Sequence, residues 1–287
     1  MKRVSLLILI KRILISIILI ILIFITYVRF NRTLDSYIYH VNVDKVKFTS
    51  KFEHNEYYLE LKDQTTIHSA LFKPKTSYTK ATIFHHLGNA MTLNNAQLMY
   101  ESLLNSGYQI FAYERRGFSE SSGKANNSKT LKNDALEVFD QFKNLKDVKG
   151  TPIIIWGVSM GGIFATTNAV ERASDIKGLI IESAFSSFSD VAKHYANEIN
   201  LENYRWLIPI LLNNDFPTYE EIQQFHKSTV IIHSTEDQII PFKFAEKIYG
   251  SSNKKNTFFW KIKGSHIKGI FDYKDQYLKK FDDILTN

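Results

Sequence analysis

Ser159 stands in Gly157-Val158-Ser159-Met160-Gly161-Gly162, directly after the wholly apolar run Pro152–Trp156. That is G-x-S-x-G between an expected strand and an expected helix. A serine on such a tight turn has its hydroxyl lifted clear of the sheet, and the flanking glycines avoid neighbouring backbone. A serine hydroxyl is a weak nucleophile near neutral pH, so it needs a base, and the base needs an orienting partner. Of nine histidines, His266 follows an expected strand within Gly264-Ser265-His266. Asp237 follows the preceding expected strand, within Ser234-Thr235-Glu236-Asp237-Gln238-Ile239-Ile240-Pro241. Glu236 is the rival acid. Asp237 is preferred because Ile-Ile-Pro can fix its loop. Acyl transfer also needs donors for a tetrahedral oxyanion. The backbone N–H of Met160 is one candidate, and the loop His86-Leu87-Gly88-Asn89-Ala90 should supply the other.

These residues need a scaffold that brings distant loops together. The spacing predicts strands at Tyr57–Lys62, Thr65–Phe72, Lys80–His85, Tyr108–Tyr113, Pro152–Trp156, Lys177–Glu182, Thr229–His233 and Asn256–Lys261. Helices are expected at Asn94–Ser106, with Leu98, Leu103 and Leu104 as its apolar contacts, and at Thr130–Leu145, Met160–Glu171, Phe242–Tyr249 and Tyr273–Leu285. Strands alternating with helices imply a mostly parallel sheet with helices on both faces. Its loops at the carboxyl ends of the strands are where such sheets place their sites. Residues 187–225 break the alternation and read as a small helical lid. Their cluster Trp206–Leu212 reads as lid packing, with a lipid-docking surface as the alternative.

The body, over roughly residues 57–285, resembles the α/β-hydrolase superfamily, in particular its serine-aminopeptidase-like and membrane-anchored branch. The order Ser159, Asp237, His266 is that family's order and not that of chymotrypsin or subtilisin. The resemblance implies a serine esterase built on the triad Ser159, Asp237 and His266. It also implies an oxyanion donor at the last position of a His-Gly-x turn, here His85-His86-Leu87, so Leu87 joins Met160 in the oxyanion hole. His86 replaces the usual glycine, and Gly88 offers a donor one residue on. The family's Asp-x-Arg-Gly-x-Gly-x-Ser segment is Glu114-Arg115-Arg116-Gly117-Phe118-Ser119-Glu120-Ser121, with Glu for Asp and Ser119 for the second glycine. It reads as structural, with anion binding by Arg115 and Arg116 as the alternative.

Serine chemistry of this kind requires no cofactor and no metal. His85 and His86 could be imagined as metal ligands with Asp237 or Glu114, but adjacent strand residues point to opposite faces. Asp190 and His194 have i,i+4 spacing and read as a solvated helix face. The absence of cysteine excludes disulfides, thiolate metal sites and a cysteine nucleophile.

The chain has 287 residues and a formal charge of +7. Residues 1–32 hold six basic residues and no acid, which leaves 30 basic and 29 acidic in the rest. The body is near neutral, against a phosphate-tracking surface and so against a nucleic-acid partner. Ile13–Val28 carries no charge, and at about 1.5 Å per residue it reaches close to the thickness of a hydrocarbon core. It ends in Thr26-Tyr27-Val28-Arg29-Phe30 with no small-x-small cleavage site, so an uncleaved signal anchor is expected over 1–32 rather than a signal peptide. The hydrolase domain would follow over 33–287. The bias of Lys2, Arg3, Lys11 and Arg12 over Arg29 and Arg32 places the body outside the cytoplasm.

The expected substrate is a small-molecule or lipid acyl ester. A peptidase or amidase, a thioesterase or an acyltransferase would use the same parts. A non-catalytic membrane-anchored binding protein of the same fold is the remaining alternative. Oligomeric state is not readable from the sequence.

Overall fold

The computed structural model describes residues 2–35, 38–39 and 47–286. Eight strands form one sheet: β1 (His54–Glu60), β2 (Thr66–Phe72), β3 (Ala81–His86), β4 (Tyr108–Tyr113), β5 (Ile153–Val158), β6 (Gly178–Glu182), β7 (Ser228–Ser234) and β8 (Thr257–Ile262). Their spatial order is β1-β2-β4-β3-β5-β6-β7-β8. β1 pairs antiparallel with β2, and β2 with β4; every later pairing is parallel. The central strand β5 shows why the sequence folds this way. All six of its residues are buried. Ile153 and Ile155 enter the core on one face, while Ile154, Trp156 and Val158 enter the core on the other. A strand covered on both sides reads as continuous hydrophobicity, as this one does.

One face is covered by α4 (Ser128–Phe142), α5 (Gly161–Glu171) and α9 (Lys243–Ser251). The other is covered by α2 (Leu93–Ala96), α3 (Glu101–Asn105) and α11 (Lys274–Thr286), the last preceded by the short α10 (Gly269–Asp272). The helix expected at Asn94–Ser106 is therefore two short helices joined by a 3₁₀ turn at Gln97–Met99. The tighter turn rotates the helical phase. Met99 and Tyr100 face the core, and Leu98, expected inside, is 64% exposed.

Between β6 and β7 lie α6 (Phe188–Glu198), a 3₁₀ stretch at Glu202–Leu207, α7 (Ile208–Leu211) and α8 (Thr218–Glu221). The expected lid segment is thus helical. The Trp206–Leu212 cluster is split: Leu212 packs against the core, while Trp206 points to solvent.

α1 (Lys2–Phe30) is a single 29-residue helix. Its stretch Ile8–Phe30 is long and apolar enough to cross a membrane, and none of its most apolar window is buried against protein. A core helix would be covered by its neighbours.

Candidate active site

Ser159 follows β5 with a φ of +53°, a left-handed conformation that costs a serine free energy and that surrounding structure must impose. Its N–H donates to the Glu182 carbonyl at 2.8 Å, and its own carbonyl accepts the Gly162 N–H at 2.9 Å. The flanking glycines are required by contact. A Cβ on Gly157 would lie 2.5 Å from the Gly161 carbonyl oxygen, and one on Gly161 would overlap the His86 carbonyl. The second clash also shows that the start of α5 is pressed against the turn carrying Leu87.

The three residues singled out for acyl transfer meet here, although 107 residues separate the serine from the histidine. His266 Nε2 lies 2.9 Å from Ser159 Oγ, and His266 Nδ1 lies 2.7 Å from Asp237 Oδ2. The other oxygen of Asp237 accepts the N–H groups of Ile239 (3.0 Å) and Ile240 (2.9 Å). Burial alone would push the Asp237 pKa up. The hydrogen bond and charge of His266, with the Ile240 N–H, outweigh it and hold the carboxyl below its ordinary range. Glu236 turns away and accepts the Gly264 N–H at 3.1 Å, so the rival acid braces the histidine loop instead.

Sequence reasoning missed His233 at the end of β7. Burial pushes its pKa down, and its neutral ring donates from Nε2 to the Ile240 carbonyl at 2.7 Å. Asp237 Oδ2 stands 3.5 Å from the same nitrogen. The loop holding Asp237 is thus pinned from beneath by an uncharged histidine. Glu182 was missed too. It is fully buried, accepting the Gly269 N–H (2.8 Å) and the Tyr277 hydroxyl (2.7 Å). It ties α11 and the segment after His266 to the strand beside the serine. Burial raises its pKa against those two hydrogen bonds.

The Leu87 turn follows β3. Among the described residues, neither the Leu87 nor the Met160 N–H is taken by a protein acceptor. The Gly88 N–H instead donates to Met91 Sδ at 3.1 Å, which removes the one-residue shift as the better donor. His86 occupies the glycine position with its side chain buried. Burial keeps its ring neutral. Asn168 Nδ2 donates to Nε2 at 2.9 Å, which leaves Nδ1–H to donate to the Tyr113 hydroxyl at 3.1 Å. His85 faces the opposite way, stacked 3.9 Å from Trp156 and bonded to the Tyr100 hydroxyl. The two histidines cannot share an ion. Asp190 is likewise engaged, by Lys247 at 2.6 Å and Ser186 at 2.5 Å.

Arg115 and Arg116 do not form an anion site. Arg116 grips Asp134 through two 2.7 Å bonds and also reaches Thr65 and Asp63. Arg115 is only 5% exposed and donates to the carbonyls of Leu87 and Gly88, both at 2.6 Å. Its guanidinium lies over the rings of Phe118 and Phe164. Among the described residues it has no carboxylate partner. Glu114 takes the family's aspartate position. It accepts the backbone N–H groups of Leu93 and Glu120 and bonds the His68 ring at 3.0 Å. Ser119, in the place of the second glycine, holds a φ of +43°.

A mostly parallel sheet whose fifth strand delivers a serine on a strained turn, with histidine and aspartate arriving after the last two strands, is the arrangement of the α/β-hydrolase fold. The chain has the α/β-hydrolase fold. A family model described as serine aminopeptidase, S33, matches residues 78–214. Among curated proteins, the lysophosphatidylserine lipase ABHD12 of Bos taurus is 26% identical over 235 residues, covering 78% of this chain and 57% of that protein. Its Xenopus tropicalis counterpart is 27% identical over 220 residues, covering 73% and 53%. The chain thus spans about half the length of these relatives. Among solved structures, the Pyrococcus furiosus esterase Pf2001 superposes with a TM-score of 0.65 at 16% identity, covering 84% of this chain and 94% of that one. Acetyl xylan esterase 1 from Thermoanaerobacterium gives 0.61 at 15% identity, covering 91% and 93%. At such identities the likeness is one of fold.

Proposed function

We propose that this chain is a membrane-anchored serine hydrolase that cleaves a carboxylic ester through an acyl-enzyme. The observation that carries the reading is the unbroken line of hydrogen bonds from Asp237 through His266 to Ser159 Oγ. His266 Nε2 takes the hydroxyl proton as Ser159 Oγ attacks the ester carbonyl. Asp237 keeps the other ring proton on Nδ1 and stabilises the imidazolium. The Leu87 and Met160 N–H groups receive the oxyanion. His266 then protonates the departing alcohol, and water, deprotonated by the same nitrogen, releases the acid.

The lipase relatives favour a lipid substrate with one acyl chain and a polar head group. The serine-aminopeptidase family model keeps amide cleavage as a second reading. An alcohol departs more readily than an amine, which favours the ester. Residues 1–32 act as the anchor and 33–287 as the hydrolase domain, with residues 187–225 as its lid. The amino-terminal basic residues favour a body outside the cytoplasm.

The test is fluorophosphonate labelling of the full chain, followed by turnover of a panel of acyl esters, amides and thioesters. Labelling is expected to vanish in Ser159→Ala and weaken in His266→Ala. A well-folded wild type that takes no label would overturn the proposal. Asp237→Asn should lower kcat by about 10⁴, by analogy with the worked protease triad. An equal loss in Glu236→Gln instead would reassign the acid.

A further inference from the structure

The end of α1 is fastened to the helical segment between β6 and β7. Arg29 donates to the carbonyls of Pro209 (3.0 Å) and Ile210 (2.9 Å), and Asn213 donates back to the Arg29 carbonyl at 3.0 Å. One turn further on, Arg32 makes a two-pronged ion pair with Asp215 and a third bond to Asp35. These bonds hold residues 209–215 at the very end of the stretch that spans Ile8–Phe30. The neighbouring segment exposes large apolar side chains: Ile199 (64%), Leu201 (43%), Tyr204 (59%) and Trp206 (63%). The patch continues toward the catalytic loops, because the Tyr195 hydroxyl on α6 donates to the carbonyl of Ile239, two residues after Asp237, and Ile239 is itself exposed. Apolar residues exposed together mark an interaction surface. Tyrosine and tryptophan with an apolar body and a polar tip suit the level of lipid head groups.

We infer that this face, from Tyr195 to Trp206 with Ile239, is seated in the lipid surface into which α1 is anchored, so that the site opens onto the bilayer and takes its ester from it. The occupant is the host bilayer, because the apolar face lies next in the chain to residues 209–215, which are bonded to the emerging end of the anchor helix. The inference rests on the anchor reading above.

The test uses the full chain in phosphatidylcholine proteoliposomes, with and without bromine on the acyl chains. Trp206 is one of three tryptophans; Trp156 is fully buried in the protein core. Brominated lipid should quench part of the emission, and that quenching should be lost in Trp206→Phe and kept in Trp260→Phe. A triple Ile199→Ser, Leu201→Ser, Trp206→Ser variant should lose turnover of a long-chain ester embedded in the liposome. It should keep turnover of a short, water-soluble ester. Protein washed off the liposomes by alkaline carbonate would overturn the anchor reading. Protein that stays inserted while Trp206 escapes quenching, or a triple variant with unchanged activity on the embedded ester, would overturn the docking alone.

Discussion

Replacing Arg115 with methionine separates stability from catalysis in this fold. The guanidinium makes two charge-assisted hydrogen bonds of 2.6 Å to the Leu87 and Gly88 carbonyls, each worth about 1.5–3 kcal/mol. Against that stands the desolvation of a cation with no carboxylate beside it, which costs several kcal/mol. Burial accordingly pushes the Arg115 pKa down. The two terms nearly cancel, so Arg115→Met, which fills the same apolar slot between Phe118 and Phe164, should change unfolding free energy by less than about 2 kcal/mol. The turn, however, loses both anchors, and with them the placement of the Leu87 N–H. In the proposed mechanism that N–H is an oxyanion donor, and removing one such donor costs about 10²–10³ in kcat, so kcat on a short chromogenic ester should fall about 10²-fold, with KM within about threefold. Arg115→Lys should recover only part, because an ammonium lacks the fork that reaches two carbonyls at once. A natively folded Arg115→Met enzyme with wild-type kcat would refute this account of the turn.

Gly161→Ala should abolish labelling of Ser159 and lower the melting temperature, because its methyl overlaps the His86 carbonyl. Native activity in that variant would mean the elbow relaxes freely. Arg32→Ala should loosen α1 from residues 209–215, read as faster proteolysis of the segment at 199–215 with an intact body; an unchanged digestion pattern would count against the strap. Glu182 gives a pH dependence. Folding raises its pKa above the ordinary 4.5, so the folded state holds that proton more tightly than the unfolded one. Its contribution is full below about pH 4.5 and is lost as pH rises through the raised value. Glu182→Gln should flatten that fall in a melting-temperature profile, and an identical slope in variant and wild type would exclude Glu182 as its source.

The serine turn was legible because its chemistry forces a local pattern: glycines at two before and two after, between an apolar strand and a helix. The histidine and aspartate were legible because each sits just past a strand whose hydrophobic run marks where it ends. What the sequence hid is carried by long-range side-chain contacts with no periodic signature. Arg115 looks like one half of a basic pair, yet it serves a turn 27 residues earlier. His86 looks like a defect in a glycine turn, but Asn168 and Tyr113 give it a satisfied buried place. Glu182 shows in the sequence only as the end of a strand, while its oxygens face Tyr277 and Gly269. Leu98 failed for a local reason, the 3₁₀ turn that shifts the phase of its helix.

The link between Tyr277 and Glu182 bears on the order of synthesis. A nascent chain that has emerged as far as the loop after β7 carries Ser159 and Asp237, the proposed nucleophile and acid, but not His266, the proposed base. The histidine and the helix whose tyrosine bonds the strand beside the elbow emerge almost last. Contacts between segments so far apart in sequence also form late in folding. In the proposed mechanism the site is therefore complete only once the final helix has docked. Loss of that helix would leave a serine on its turn without the histidine loop's brace.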